Sequence, residues 1–304
     1  MNKTIAVVTG GAGFIGSHIV RELLSKNYDV RVIDNYSGGK FPERVSEEAT
    51  YFEGDILDTD LIKKVCEGAT YVFHTAALPR VQFSIEFPEE TTAVNIGGTV
   101  AVLSAAQKAG VKRVIYSASS SAYGDQDTLP LVETMTPSPK SPYALQKYVG
   151  ELECKLFTEL HALETVSLRY FNVYGPQADP NGAYALVVAK FIELKKQGKP
   201  MTIAGTGKNT RDYTHVSDIV AANILAATST NVGAGEVLNV GGGRQVSVLE
   251  IAQMIGGDVE FGEPRFEPAH TLADTSLANK LLRWQPKVPF DEGLANLLQE
   301  AGLV

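Results

Sequence analysis

Cysteine is nearly absent: the 304 residues contain two, Cys66 and Cys154. They form neither a C-x-x-C pair nor a metal-ligand spacing, so a disulfide scaffold is excluded and both read as reduced, buried or half-buried side chains. The five histidines are scattered without an H-x-x-x-H spacing, and no metal is expected. Long apolar runs are missing as well; none approaches the ~20 residues of a membrane span. The first residues do not read as a signal peptide, because the short apolar stretch 4–8 runs straight into glycines. A cytoplasmic protein with no membrane partner is expected. Positive charge is in deficit, with 27 Lys and Arg against 35 Asp and Glu, which disfavours nucleic acid as a partner. A local basic pocket for a phosphate-bearing ligand is compatible with that balance.

What is present is alternation. Short β-branched runs at 4–8, 29–33, 50–52, 71–73, 113–116 and 165–169 alternate with amphipathic stretches such as 13–25, 92–109 and 142–160. Parallel strands need crossovers, so this order predicts an α/β fold: a Rossmann-type doubly wound parallel sheet with a smaller C-terminal α/β substrate domain. After Arg169 the pattern becomes irregular, with a Pro/Gly/Asn-rich loop at 175–182, another at 205–209, and little periodicity over 260–270. Residues 1–170, joined again by about 215–240, are assigned to a cofactor domain. Residues 171–214 and 241–304 are assigned to the substrate domain. Ligands of such sheets sit at the carboxyl ends of the strands, where strand order reverses.

Gly10-Gly11-Ala12-Gly13-Phe14-Ile15-Gly16 follows the first predicted strand and opens the first predicted helix. Glycine permits the tight turn, the approach of backbone to a pyrophosphate and close helix–strand packing, while the helix N-terminus favours phosphate. Asp34 ends the second strand about 20 residues on, where a carboxylate accepts from both adenosine ribose hydroxyls and repels a 2′-phosphate. NAD is therefore preferred over NADP. Asp55 and Ile56, after the third strand, are placed beside the adenine.

Tyr143 and Lys147 stand four residues apart in Ser141-Pro142-Tyr143-Ala144-Leu145-Gln146-Lys147, about one helical turn, and so share a face. A tyrosine is a poor base at neutral pH unless a neighbouring cation favours its phenolate. Small hydroxyls, from Ser117 to Ser121, close the strand that starts near Arg113. One of them is placed to hydrogen-bond a reacting hydroxyl and relay its proton to Tyr143.

T-G-G-A-G-F-I-G from Thr9, H-T-A-A from His74, S-P-Y-A-x-x-K from Ser141 and R-Y-F-N-V-Y-G-P from Arg169 resemble the extended short-chain dehydrogenase/reductases, and within them the UDP-hexose 4-epimerases. The resemblance runs from residue 9 to about 284. It implies a Ser119–Tyr143–Lys147 catalytic set, and NAD held by Gly10, Gly13, Phe14, Ile15, Gly16, Asp34, Asn35, Asp55, Ile56, Ala76 and Lys147. It implies a UDP-sugar held by Ser119, Ser120, Tyr143, Asn172, Arg211 and Arg265, with a one-residue deletion assumed to align Arg265. Related dehydratases carry an Asp-Glu pair where this chain has Ser120 and Ser121, which leaves simple epimerisation at C4 of UDP-glucose and UDP-galactose.

Thr271 precedes Leu272-Ala273-Asp274, where epimerases restricted to plain hexoses carry a bulky tyrosine. A threonine there implies room for the acetamido group of UDP-GlcNAc and UDP-GalNAc, as does the likeness of Asp179-Pro180-Asn181-Gly182-Ala183-Tyr184 to N-acetylhexosamine epimerases. Two other readings stay open: a UDP-glucuronate 4-epimerase, with Arg80 or Thr206 near C6, and a non-catalytic NAD(P)-binding nucleotide-sugar sensor. The resemblance also implies a homodimer paired through the helices at 92–109 and 142–160.

Overall fold

The β-branched runs become parallel strands buried on both faces. In a computed structural model, which describes residues 3–181, 186–263 and 270–303, the first half contains β1 (Ile5–Thr9), β2 (Asp29–Asp34), β3 (Thr50–Glu53), β4 (Tyr71–His74), β5 (Arg113–Ser119) and β6 (Glu164–Tyr170). The second half adds β7 (Val173–Tyr174), β8 (Met201–Ala204), β9 (Thr210–Asp212), β10 (Thr214–His215), β11 (Ala234–Val240), β12 (Gln245–Ser247) and β13 (Val259–Gly262). The helices are α1 (Phe14–Ser25), α2 (Thr59–Cys66), α3 (Val81–Glu86), α4 (Pro88–Thr92), α5 (Thr99–Lys108), α6 (Pro142–His161), α7 (Val187–Lys196), α8 (Val216–Thr228), α9 (Val248–Ile255), α10 (Ser276–Leu282) and α11 (Phe290–Glu300).

Seven strands form one parallel sheet in the order β11-β6-β5-β4-β1-β2-β3. The α/β doubly wound architecture is the one predicted from alternation. The chain runs outward from β1 to β2 and β3, then returns to lay β4 on the other side of β1, so strand order reverses between β1 and β4. Helices cover both faces. Ile19 and Leu23 of α1, Ile219 of α8 and Trp284 pack on one; Ile62 of α2, Leu103 of α5 and Cys154 of α6 pack on the other. A separate cluster joins Phe191 of α7, Ile203 of β8, Ile251 of α9 and Leu294 of α11. Strand β11 does return to the main sheet beside β6. Both cysteines are buried, and burial pushes each thiol up to about 12.

Two elements differ from the sequence expectation. The helix predicted over 92–109 is interrupted by a π-helical turn, Ala93–Gly98, between α4 and α5. Gly97-Gly98 weakens the helix there, and Gly98 lies so close to Ile56 that a Cβ would stand 2.4 Å from its Cδ1. The widened turn carries the Asn95 side chain onto Leu78, accepting from its N–H at 2.8 Å and donating to its carbonyl at 3.1 Å. Within the stretch read as aperiodic, β13 pairs in parallel with β8. All its residues are exposed, so it has no buried face to imprint an alternating pattern.

Helix α6 reaches β5 because Gly150 has no side chain: a Cβ there would stand 2.2 Å from the hydroxyl of Tyr116, which is fully buried. Gly150→Ala is expected to destabilise the protein by about 1–3 kcal/mol through overpacking, despite alanine's better helix propensity. A lowered urea midpoint measures it; an unchanged or raised midpoint contradicts the packing account.

Candidate active site

Gly10 follows β1 with φ +70°, and a Cβ on it would lie 2.8 Å from the backbone of Ala76 beyond β4. A Cβ on Gly16 would lie 2.2 Å from the Gly10 carbonyl oxygen. The loop therefore closes at the point of strand reversal only as glycine. Gly13 caps α1 with no side-chain hydrogen bond, and the first turn has no acidic residue. Its N–H groups and the positive end of the helix are thus suited to an anion, with no acidic side chain in the first turn to compete. Phe14 and Ile15 stand half-buried at this helix start.

Asp34 joins the loop from β2. Its carboxylate accepts from the Ala12 N–H at 2.9 Å and the Tyr36 N–H at 2.8 Å. A carboxylate has about four acceptor positions, so two are left for ribose hydroxyls. Asn35 donates to Asp55 at 2.7 Å, and Asp55 accepts from the Leu57 N–H at 2.9 Å, while Ile56 between them is buried. The groove edge is therefore braced within the chain.

Ser119 ends β5, two strands from β1, and Ser120 opens the 3₁₀ turn that follows. The Ser119 hydroxyl accepts from both the N–H and the hydroxyl of Ser121, at 3.2 and 2.8 Å. Both acceptor positions are spent, so its own proton is left to donate. It stands by Tyr143, whose phenol is pushed up to about 12 by burial and drawn back by Ser119. Ser141 caps α6 by accepting from the Ala144 N–H at 3.2 Å, and the Tyr143 N–H donates to Ser84 at 3.0 Å, so the start of the helix is held at both positions. One turn on, buried Lys147 donates to the Ser117 carbonyl at 2.8 Å and lies 4.9 Å from the centre of the Tyr116 ring. Burial pulls its ammonium down to about 8.

Two buried groups in the surroundings of Lys147 were not read from the sequence. His74 is buried between Thr9 at 2.7 Å and Thr99 at 3.0 Å. Burial, then Lys147, pulls its imidazole down to about 3, so it is neutral and structural. Glu151, one turn beyond Lys147, receives Arg169 of β6 in two parallel bonds at 2.8 and 2.7 Å. The guanidinium lies 4.4 Å from the centre of the Tyr123 ring, and Tyr123 donates to Asn239 at 2.7 Å. The sequence signal was present as a glutamate four residues after Lys147 and an arginine inside a β-branched run. Neither position identifies its partner.

Of the residues expected to hold substrate, Asn172, Arg211 and Thr271 come together around Asp212. Asn172 donates to the Asp212 carbonyl at 2.9 Å, and the Asp212 N–H donates to the Thr271 hydroxyl at 3.3 Å. Arg211 lies on β9, half-buried. Arg265, and the segment Gly182-Ala183-Tyr184, lie outside the described residues. Leu131 locks onto the next turn of chain: its N–H donates to the Leu272 carbonyl at 2.7 Å and its carbonyl accepts from the Asp274 N–H at 2.9 Å. Among the described residues no group of three or more His, Cys, Asp and Glu side chains could hold a metal ion, and no helix is long and apolar enough to cross a membrane.

Removing one member of the buried Glu151–Arg169 pair leaves an uncompensated charge. Glu151→Gln is expected to cost about 3–5 kcal/mol of stability, and Glu151→Gln with Arg169→Met much less. Urea denaturation of both variants tests this; equal losses would contradict it.

Residues 6–241 match the family model for the NAD dependent epimerase/dehydratase family. A UDP-glucose 4-epimerase of Thermotoga maritima, solved with UDP-glucose, is 38% identical with a TM-score of 0.91, and the match covers 96% of each chain. A UDP-N-acetylglucosamine 4-epimerase of Methanobrevibacter ruminantium M1, solved with UDP-N-acetylmuramic acid, is 35% identical with a TM-score of 0.91, over 99% of this chain and 100% of that one. A UDP-glucuronic acid 4-epimerase of Bacillus cereus, solved with UDP-glucuronic acid and NAD, is 32% identical with a TM-score of 0.89, over 98% of this chain and 99% of that one. The chain thus belongs to the NAD dependent epimerase/dehydratase family, within the extended short-chain dehydrogenase/reductases, with NAD as its cofactor and UDP-sugar 4-epimerases among its relatives.

Proposed function

We propose that this protein interconverts the C4 epimers of UDP-hexoses, taking UDP-glucose and UDP-galactose and also UDP-GlcNAc and UDP-GalNAc. The observation that carries the reading is the gathering of Ser119, Tyr143 and Lys147 at the carboxyl end of β5, on the same end of the parallel sheet as the glycine loop after β1. NAD, when held by the glycine loop after β1 and by Asp34, would supply reversible hydride acceptance for the sugar C4. Tyr143 takes the proton of the 4-hydroxyl and later gives it back. Its phenol needs help to ionise, because burial holds it at about 12 even with Ser119 drawing it down. Ser119 supplies a hydrogen-bond donor, and the Lys147 ammonium and the oxidised nicotinamide supply positive charge; each favours the phenolate.

Residues 1–170 and about 215–240 carry the cofactor in this reading, and 171–214 with 241–304 carry the nucleotide-sugar. Arg211 is proposed for the diphosphate, where a guanidinium can make two parallel bonds. A small residue at 271 leaves the room an acetamido group needs, and the M. ruminantium relative supports that width. A size filter of this kind is worth only ~1–3 kcal/mol, which favours dual over strict specificity. UDP-glucuronate is a second reading, supported by the B. cereus relative. Arg80 and Thr206, both exposed, are the groups it would require.

Chromatography after incubation with NAD and either UDP-galactose or UDP-N-acetylgalactosamine is expected to show conversion of both. Conversion of UDP-galactose alone would remove the argument from Thr271, and turnover confined to UDP-glucuronate would install the second reading. Tyr143→Phe is expected to lower kcat by about 10²–10⁴-fold while NAD stays bound; a silent substitution would favour a nucleotide-sugar sensor.

A homodimer is also proposed, through the outer face of α6. Leu145, Leu152, Leu156 and Leu160 are exposed there, and Val81, Ile85 and Phe87 nearby on α3 and its end are exposed too. A stripe of this size in one row fits a second copy of the same helix. Light scattering is expected to give the mass of two chains, and Leu152→Glu with Leu156→Glu the mass of one. A monomeric wild type would refute the assignment.

A further inference from the structure

Asp212 has no exposed surface, yet every polar group it owns is committed. Its carboxylate accepts from Gly242 N–H at 2.6 Å, from Gly243 N–H at 3.1 and 3.2 Å, and from Ala273 N–H at 3.0 Å. Its own N–H goes to the Thr271 hydroxyl at 3.3 Å, and its carbonyl takes the Asn172 amide at 2.9 Å. Two residues back, the Thr210 carbonyl accepts from the Thr271 N–H at 3.1 Å. Three separate lengths of chain, at 172, 242–243 and 271–273, therefore converge on one side chain and its peptide groups.

The chemistry of the donors explains why the residue is an aspartate. Three backbone N–H groups on two chain segments require two acceptor oxygens. A carboxylate has only acceptors, whereas an amide would turn an NH₂ toward one donor. The approach is close enough to require glycine on the other side. A Cβ on Gly241 would stand 2.7 Å from the Asp212 carboxylate and 2.4 Å from the Ala273 Cβ, and one on Gly242 would stand 2.1 Å from the Tyr213 carbonyl oxygen. Burying the carboxylate is costly, and burial pushes it up to about 6 against the pull of those N–H groups. A carboxylate kept at that cost, with its partners in the segments that carry the substrate residues, is better explained by placement of those residues than by stability alone.

We infer that Asp212 is a positioning residue of the nucleotide-sugar site, which sets Asn172, Arg211 and Thr271 at their mutual spacing without touching substrate. This rests on the UDP-sugar reading above. The carboxylate ties β9, which carries Arg211, to the chain beyond β11 and to the chain beyond Thr271. Its peptide groups hold the side chains of Asn172 and Thr271 directly. Loss of the carboxylate releases the spacing of the three, while Ser119, Tyr143 and Lys147, on β5 and α6, stay in place.

The test is Asp212→Asn in the NAD-loaded protein, read by steady-state kinetics with UDP-galactose, by calorimetry with UDP, and by the amount of NAD released on denaturation. KM and the Kd of UDP are expected to rise about tenfold or more, with kcat within about threefold and NAD content unchanged. Unchanged KM and UDP affinity, or a fall confined to kcat, would overturn the inference. Wild-type protein that binds UDP but converts no UDP-hexose would refute the substrate reading alone. The ratio of the two UDP affinities would then still decide the role of Asp212, a tenfold loss supporting it and equality overturning it. Should Asp212→Asn fail to fold, Thr271→Val removes only the hydroxyl that takes the Asp212 N–H. It is expected to weaken UDP by about two- to fivefold, and unchanged affinity would overturn the inference.

Discussion

The constraint on which the site depends is the burial of a cation. Lys147 is an ammonium at a place where water cannot solvate it, and it survives by donating to the Ser117 carbonyl and by lying near Glu151. Glu151 cannot be buried alone either, so it holds Arg169 in two parallel bonds. Arg169 in turn lies against Tyr123, which reaches Asn239 of β11. The electrostatic needs of one lysine are thus passed across α6, β6 and β11. The helix carrying Tyr143 is fixed against the sheet by the same chain of contacts.

The cofactor groove depends on close approach more than on charge. At the reversal of strand order, the loop after β1 and the backbone after β4 are so near that Gly10 admits no side chain. Asp34 closes the other edge by accepting two N–H groups of the chain itself. A ligand that fits here meets backbone donors and a prepaid carboxylate, so little reorganisation accompanies its binding.

Local features of this architecture were legible in the amino-acid order. Strand, glycine turn, helix and acidic residue follow one another within 34 residues, and Tyr143 and Lys147 share a helix turn. Their meaning is carried by spacing along the chain. Pairings between distant segments were not legible: Glu151 with Arg169, Asn95 with Leu78 and Gln146, and Asp212 with Gly242, Gly243 and Ala273. Nothing near Asp212 in the sequence distinguishes a clamp from a surface carboxylate, because what makes it a clamp is brought from 30 and 61 residues away. The π-helical turn escaped for a similar reason. The close approach of Gly98 to Ile56, which accompanies the turn, joins segments far apart in the chain.

The paired hydrogen bonds between Leu131 and the chain at Leu272 and Asp274 bear on how a ligand reaches the site. They stitch the stretch that follows β5 to the stretch that follows Thr271, and Leu131, Tyr123, Phe171 and Ala273 seal the seam with a small apolar cluster. Asn239 adds donors to the Leu131 and Asp274 carbonyls. Stretches joined this way cannot part without breaking these bonds and opening the apolar cluster. Traffic in and out of the groove is therefore expected to pass by local yielding of surface segments around a fixed frame.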